Sequence, residues 1–136
     1  MLMPKKLAHR KQHRPDVKDG VATSGNYVAF GSFGLKATTA AWVSAQQLEA
    51  ARRVLAKYIR RGGKSWIRVF PHSAITAKGS QTTMGGGKGA PEKYIATVRP
   101  GNIIFELDGI SEVEARQALT LAAYKLPIKA KVVKKQ

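Results

Sequence analysis

The chain divides by its pattern of apolar and polar positions into two helical stretches and four strand-like ones. From Ser44 the apolar positions recur at helical spacing: at about 100° per residue Leu48, Ala51, Leu55 and Ile59 fall on one stripe. Ser44 with Gln47 three residues on forms a capping-box signature, and Gly62-Gly63 supplies the stop, so the pattern predicts a helix from about Ala45 to Arg61. Ser111 with Glu114 opens a second helix, which should run to about Lys125 before Pro127 ends it. Its inner stripe of Ala115, Ala118, Leu119, Ala122 and Leu126 is mostly small, which suits close packing on a sheet. Alternation and β-branched or aromatic content predict strands over Tyr27–Leu35, Lys64–Phe70, Lys93–Val98 and Asn102–Asp108. Pro100-Gly101 reads as a hairpin turn joining the last two. The tail from Ile128 to Lys135 alternates weakly and reads either as an edge strand or as a basic extension.

No βαβ spacing repeats, so the expected class is α+β: a mostly antiparallel sheet with two helices packed on it. One domain over residues 1–136 is expected, with a basic N-terminal arm over 1–20 and an extended glycine-rich loop over 72–92. That loop has no periodicity, and a stretch of such length and composition points to a functional extension.

Charge changes the picture most. The 136 residues carry 24 Lys+Arg against 8 Asp+Glu, a formal +16, so a polyanion is expected beside the folded protein. The positive charge comes in separate blocks rather than along one amphipathic helix, which favours nucleic acid over a membrane surface. Five of the cations, Lys5, Lys6, Arg10, Lys11 and Arg14, lie in the first fourteen residues with His9 and His13 and no acid. Such an arm is expected to be disordered alone and ordered on RNA. On the first helix Arg53, Lys57, Arg60 and Arg61 lie opposite the apolar stripe, and Lys64 and Arg68 follow on the next strand. These cations, with the arm, are the expected RNA contacts.

Catalytic and metal chemistry find little support. The chain has no cysteine, which excludes a disulfide framework and a thiolate metal site. His9 and His13 stand at i, i+4, but no cysteine or nearby acid completes a metal sphere, and they read better as RNA donors. Gly85-Gly86-Gly87-Lys88-Gly89 suggests a phosphate loop, yet Gly89 stands where that motif needs Ser or Thr, and no helix signal follows. Five of the acids fall between residues 92 and 114; Glu112 and Glu114 suit a helix N-terminus, and Glu106 and Asp108 share a strand face. This acidic end is expected to face away from RNA. Trp66 and Arg68 share a strand face with Phe70 beyond; the rings suit base stacking or core, and the apolar neighbours of Phe70 favour core. No catalytic residue, cofactor, small-molecule substrate or membrane partner is expected. No apolar run approaches the roughly 20 residues that span a bilayer, and no secretory signal opens the chain.

Six stretches carry a resemblance. They are Met1-Leu2 with Pro4-Lys5 and Arg10-Lys11; Phe30-Gly31-Ser32-Phe33-Gly34-Leu35; Gln47-Leu48-Glu49-Ala50-Ala51-Arg52-Arg53; Trp66-Ile67-Arg68-Val69-Phe70-Pro71; Met84-Gly85 with Gly87-Lys88-Gly89; and Leu126-Pro127-Ile128-Lys129. In these the chain resembles the bacterial and organellar large-subunit ribosomal protein sixteen family, in the family's order and over nearly its whole length. The resemblance implies a non-catalytic α+β domain on large-subunit rRNA, on a cytoplasmic or organellar ribosome beside neighbouring ribosomal proteins. It also implies a role in subunit assembly and a glycine-rich loop near the A- and P-site tRNAs, here Lys78, Thr83, Met84, Gly85, Gly86, Gly87, Lys88 and Gly89. The family's mature start matches Met1-Leu2, so no transit peptide is expected. Where the family loop commonly carries arginine and a further lysine, this chain has Thr83 and Gly86, so the hydroxylation of that arginine is not carried over. A free-standing RNA chaperone is the competing reading, ahead of a DNA-binding protein and an RNA-acting enzyme.

Overall fold

The computed structural model describes residues 2–5, 20–60, 62–76 and 91–136. In chain order these form β1 (Phe33–Ala37), β2 (Ala41–Ser44), α1 (Ala45–Tyr58), β3 (Lys64–Ile67), β4 (Ser73–Thr76), β5 (Pro91–Val98), β6 (Ile103–Asp108), α2 (Glu112–Ala123) and β7 (Ala130–Lys134). The α+β class and the antiparallel pairing are as expected. The strands divide between two sheets, however: a four-stranded one in the order β3-β6-β1-β7 and a three-stranded one in the order β2-β5-β4.

That division corrects the expected hairpin. Pro100-Gly101 does reverse the chain, with Gly101 at φ +98° and the Asn102 N–H donating to the Arg99 carbonyl. Yet β5 pairs with β2 and β4, while β6 pairs with β1 and β3. The turn is instead clamped to the end of β1, where Gly101 N–H donates to Ala37 O and Ala37 N–H to Asn102 O, both at 2.8 Å. Turn chemistry fixes where a chain reverses; which edge is open decides what it then pairs with. The tail resolves as the edge strand β7, paired along β1 from Phe33↔Lys134 to Ala37↔Ala130. The expected long loop is entered from both ends by β4 and β5, and the residues between them, 77–90, lie outside the described ones.

α1 begins as its sequence predicts. Ser44 Oγ accepts the Gln47 N–H at 3.2 Å, and Gln47 Oε1 accepts the Ser44 N–H at 2.9 Å. Ser44→Ala leaves the Gln47 N–H without its acceptor and is expected to cost about 1 kcal/mol, read as a lowered urea midpoint with unchanged slope. The helix ends at Tyr58, ahead of the expected Arg61. Gly62 takes the left-handed φ of +117°, and a Cβ on Gly63 would stand 2.9 Å from Ile59 Cγ2, so the glycine pair turns the chain tightly against its own last turn. At α2, Ser111 Oγ accepts the Glu114 N–H at 3.3 Å.

The predicted stripes are buried except Ile59, which caps α1 and is half-buried. Leu48, Ala51 and Leu55 of α1 meet Ala115, Ala118, Leu119 and Ala122 of α2 in one cluster with Leu35, Phe105 and Leu107 of the larger sheet. Burying each large side chain contributes about 1.5–3 kcal/mol. The alanine stripe lets α2 lie close over β1, β6 and β7. Among the described residues the larger sheet therefore has a helix-covered face and an opposite face without helices.

Candidate nucleic-acid interface

Alternation along β1 and β7 sorts side chains to the two faces of the larger sheet. Leu35, Ala37 and Val132 point into the core under α2, so Lys36 and Lys131 occupy the other face. Tyr27 to Gly31, the first part of the strand predicted over Tyr27–Leu35, lies over that open face outside any strand, and Ser32 leads into β1 with its N–H on Leu107 O. Its amides serve another acceptor: the N–H groups of Ala29, Phe30 and Gly31 all donate to Glu106 Oε1, at 3.1, 2.8 and 2.8 Å.

Glu106 is fully buried, and its other oxygen accepts from Arg68. Burial pushes its carboxyl up, but the Gly31 N–H, the Arg68 guanidinium and the Phe30 and Ala29 amides outweigh that and hold it below the usual glutamate range. Glu106 is thus a structural anion and belongs to neither an acidic rim nor a catalytic pair. Arg68, expected among the RNA contacts, has its guanidinium on Glu106, 3.3 Å from Tyr27 O, and 5.0 Å from the centroid of the Phe30 ring. Phe30 in turn stacks on Trp66, with centroids 6.1 Å apart. Phe70, expected in the core, is 44% exposed. Ile67 and Val69 take the inward places, so alternation puts Phe70 on the outer side with Trp66 and Arg68.

Of the cations predicted for this helix, Arg53 and Lys57 are exposed on the side of α1 away from Leu48, Ala51 and Leu55; Arg60 is exposed just past its end, and Lys64 is exposed at the start of β3. Glu49 is the one acid within α1. Arg52 clips it at 2.5 Å and holds its carboxyl down at about 2, while Arg53 stands 3.5 Å from it. Of the other acids described, Asp108 accepts from Ser32 Oγ and the Gly109 N–H, and Glu112 is paired with Arg116 and Lys134. Ser32 and Lys134 respectively are the chief causes that hold these two carboxyls below their usual range. Among the described residues Glu49, Glu106, Asp108 and Glu112 are therefore each held by a partner within the fold, and Arg53, Lys57, Arg60 and Lys64 stand outward.

Lys5 is exposed. Lys6, His9, Arg10, Lys11, His13, Arg14 and Arg61, with the loop residues Lys78 and Thr83 to Gly89, lie outside the described residues. Sequence reasoning did not find the Glu106 anchor or the facing of Lys36 and Lys131, which lie 95 positions apart and meet only through strand register. Among the described residues no group of three or more His, Cys, Asp or Glu side chains is placed to hold a metal, and no helix is long and apolar enough to cross a membrane.

The comparisons with known proteins agree with the resemblance carried by the motifs. The large ribosomal subunit protein uL16 of Staphylococcus aureus strain Newman is 52% identical over 136 residues, covering all of this chain and 94% of the relative. The same protein from strains JH1 and USA300 matches with the same identity and coverage. The sequence profile of ribosomal protein L16p/L10e matches residues 4–133. With motifs, fold and full-length similarity in agreement, this chain belongs to the ribosomal protein L16p/L10e family.

Proposed function

We propose that this protein is held in the large ribosomal subunit chiefly by contacts between the outer face of α1 and rRNA phosphates. As a member of a ribosomal protein family with full-length similarity to uL16, it is a structural constituent of the large subunit and not an enzyme. Its partners are rRNA and other ribosomal proteins, and its place is the ribosome in the cytoplasm.

The observation that supports the finer reading is the α1 face. Arg53 and Lys57 stand exposed there and Arg60 just past the helix end, while the helix's one acid is clipped by Arg52. Phosphate contacts fix position without reading sequence, which is the task of a structural ribosomal protein. Each such contact releases counterions, so neutralising Lys57 or Arg60 with Gln should reduce the slope of log affinity against log salt by about one. The probe is a large-subunit particle stripped of this protein by salt wash, titrated with the full chain over a series of KCl concentrations. An unchanged slope in both variants would contradict the reading.

The arm cations Lys5, Lys6, Arg10, Lys11 and Arg14, with His9 and His13, add to this grip in the same reading. So do Arg61, Lys64 and the outward edge of Arg68. The glycine-rich loop extends toward the A- and P-site tRNAs, anchored by Lys78 and Lys88 on either side of a tip without other cations. Glycine backbone can approach RNA closely, and charge is what pins it there. Deleting residues 80–87 should leave subunit assembly largely intact and weaken tRNA accommodation. Normal accommodation by deleted particles, measured by A-site tRNA binding, would count against this part.

A further inference from the structure

The open face of the larger sheet carries a second cationic feature, on the side of the sheet away from α2. β1 and β7 place Lys36 and Lys131 directly opposite each other. Side chains so paired share a face with their Cβ atoms close together, and like charges there repel. Among the described residues no carboxylate side chain pairs with either, although Lys134, opposite Phe33 on the other face, has Glu112, and Lys135 donates to Ala29 O. The two lysines line a groove of about 430 Å³ together with Val133, the buried Ile103 and the exposed Tyr27. A repelling pair left without a counter-charge inside a groove is a site that an external anion would stabilise.

We propose that this groove is a second RNA-backbone site, in which Lys36 and Lys131 flank a phosphate of a different rRNA segment from the one on α1. The inference rests on the rRNA-binding reading above and extends it. The α1 cations point away from the core on the helix layer, and the lysine groove opens on the far side of the larger sheet. One RNA helix cannot lie along both at once, so the fold acts as a wedge between two RNA elements. An acidic protein segment would suit the charge alone. The run of phosphates that the family's setting supplies is the closer match, because the groove is open along the strand edge and lined by lysine without an arginine fork for a carboxylate.

Two measurements on salt-stripped large-subunit particles test this. The double variant Lys36→Gln/Lys131→Gln should lower the salt slope by about one, and combining it with Arg53→Gln/Lys57→Gln should lower it by about three, since separate sites add. Without RNA the first double variant should melt no lower than the wild type, because it removes a repulsion. The chain has no cysteine, so an iron chelate tethered at Gln136→Cys, on the rim of the groove, reports its neighbours by radical cleavage. The expected result is cleavage of rRNA at a position distinct from that cut from Gln46→Cys on α1. A wild-type slope for Lys36→Gln/Lys131→Gln, with no rRNA cut from residue 136 while the α1 results hold, overturns the groove and spares the α1 reading. Cleavage of a protein chain from residue 136 in place of rRNA also overturns it. Silence from both surfaces overturns both readings.

Discussion

Replacing Glu106 with Gln should destabilise the free protein by about 3–5 kcal/mol, the usual cost of stranding one partner of a buried ion pair. The carboxylate is fully buried and accepts from three consecutive amides and from Arg68. Gln offers one acceptor oxygen and brings an NH2 group that meets the guanidinium donor to donor. The Arg68 charge would then be left half-buried beside Tyr27 O and the Phe30 ring. The pH dependence has a definite sign. The folded carboxyl titrates below the unfolded one, so its stabilisation is fully present above the unfolded glutamate pKa and is lost as pH falls through the folded one. Glu49, Asp108 and Glu112 are shifted in the same direction, so the difference between wild type and variant isolates Glu106. Urea unfolding from neutral pH downward should show that difference shrinking with acid. A difference constant with pH would mean that Glu106 is not held as an anion.

Gly31→Ala should cost about 1–3 kcal/mol, although the glycine has no positive φ, because the added methyl overpacks against backbone. Its Cβ would lie 2.5 Å from the Leu107 carbonyl oxygen and 3.1 Å from Trp66 Cζ3. The oxygen belongs to a central strand and cannot swing aside, so the segment from Tyr27 to Ser32 would lift. Lifting it withdraws the Gly31 N–H from Glu106 and moves Phe30 off Trp66. The two substitutions therefore damage one network, and a double-mutant cycle with Glu106→Gln should show strong coupling. Simple additivity would place the two effects in separate parts of the structure.

The same network shows where sequence reading stops. Features within one helical turn were legible: the Ser44–Gln47 box, the α1 stripe, the alanine face of α2 and the cationic side with Arg53 and Lys57. The Phe30–Leu35 motif gave the resemblance, and the full-length similarity to uL16 agrees with it. What failed depended on contacts across the chain. Tyr27–Gly31 reads as strand because its composition suits one, but a carboxylate 75 or more positions away takes the amides of Ala29, Phe30 and Gly31. Phe70 reads as core because its neighbours are apolar, yet alternation turns it outward. β5 and β6 read as a hairpin because the turn between them is favourable, but each finds its partners in a different sheet. Lys36 and Lys131 face each other only because β7 returns along β1. The arm and the loop tip, where the resemblance places much of the function, lie outside the described residues.

A cryo-EM map of the large ribosomal subunit containing this protein tests the central claim most directly. The expected result is rRNA phosphates within hydrogen-bonding reach of Arg53 and Lys57 along the outer face of α1 and of Arg60 just past its end. A map in which that face looks into solvent, with the protein held to the particle by other surfaces, would contradict it.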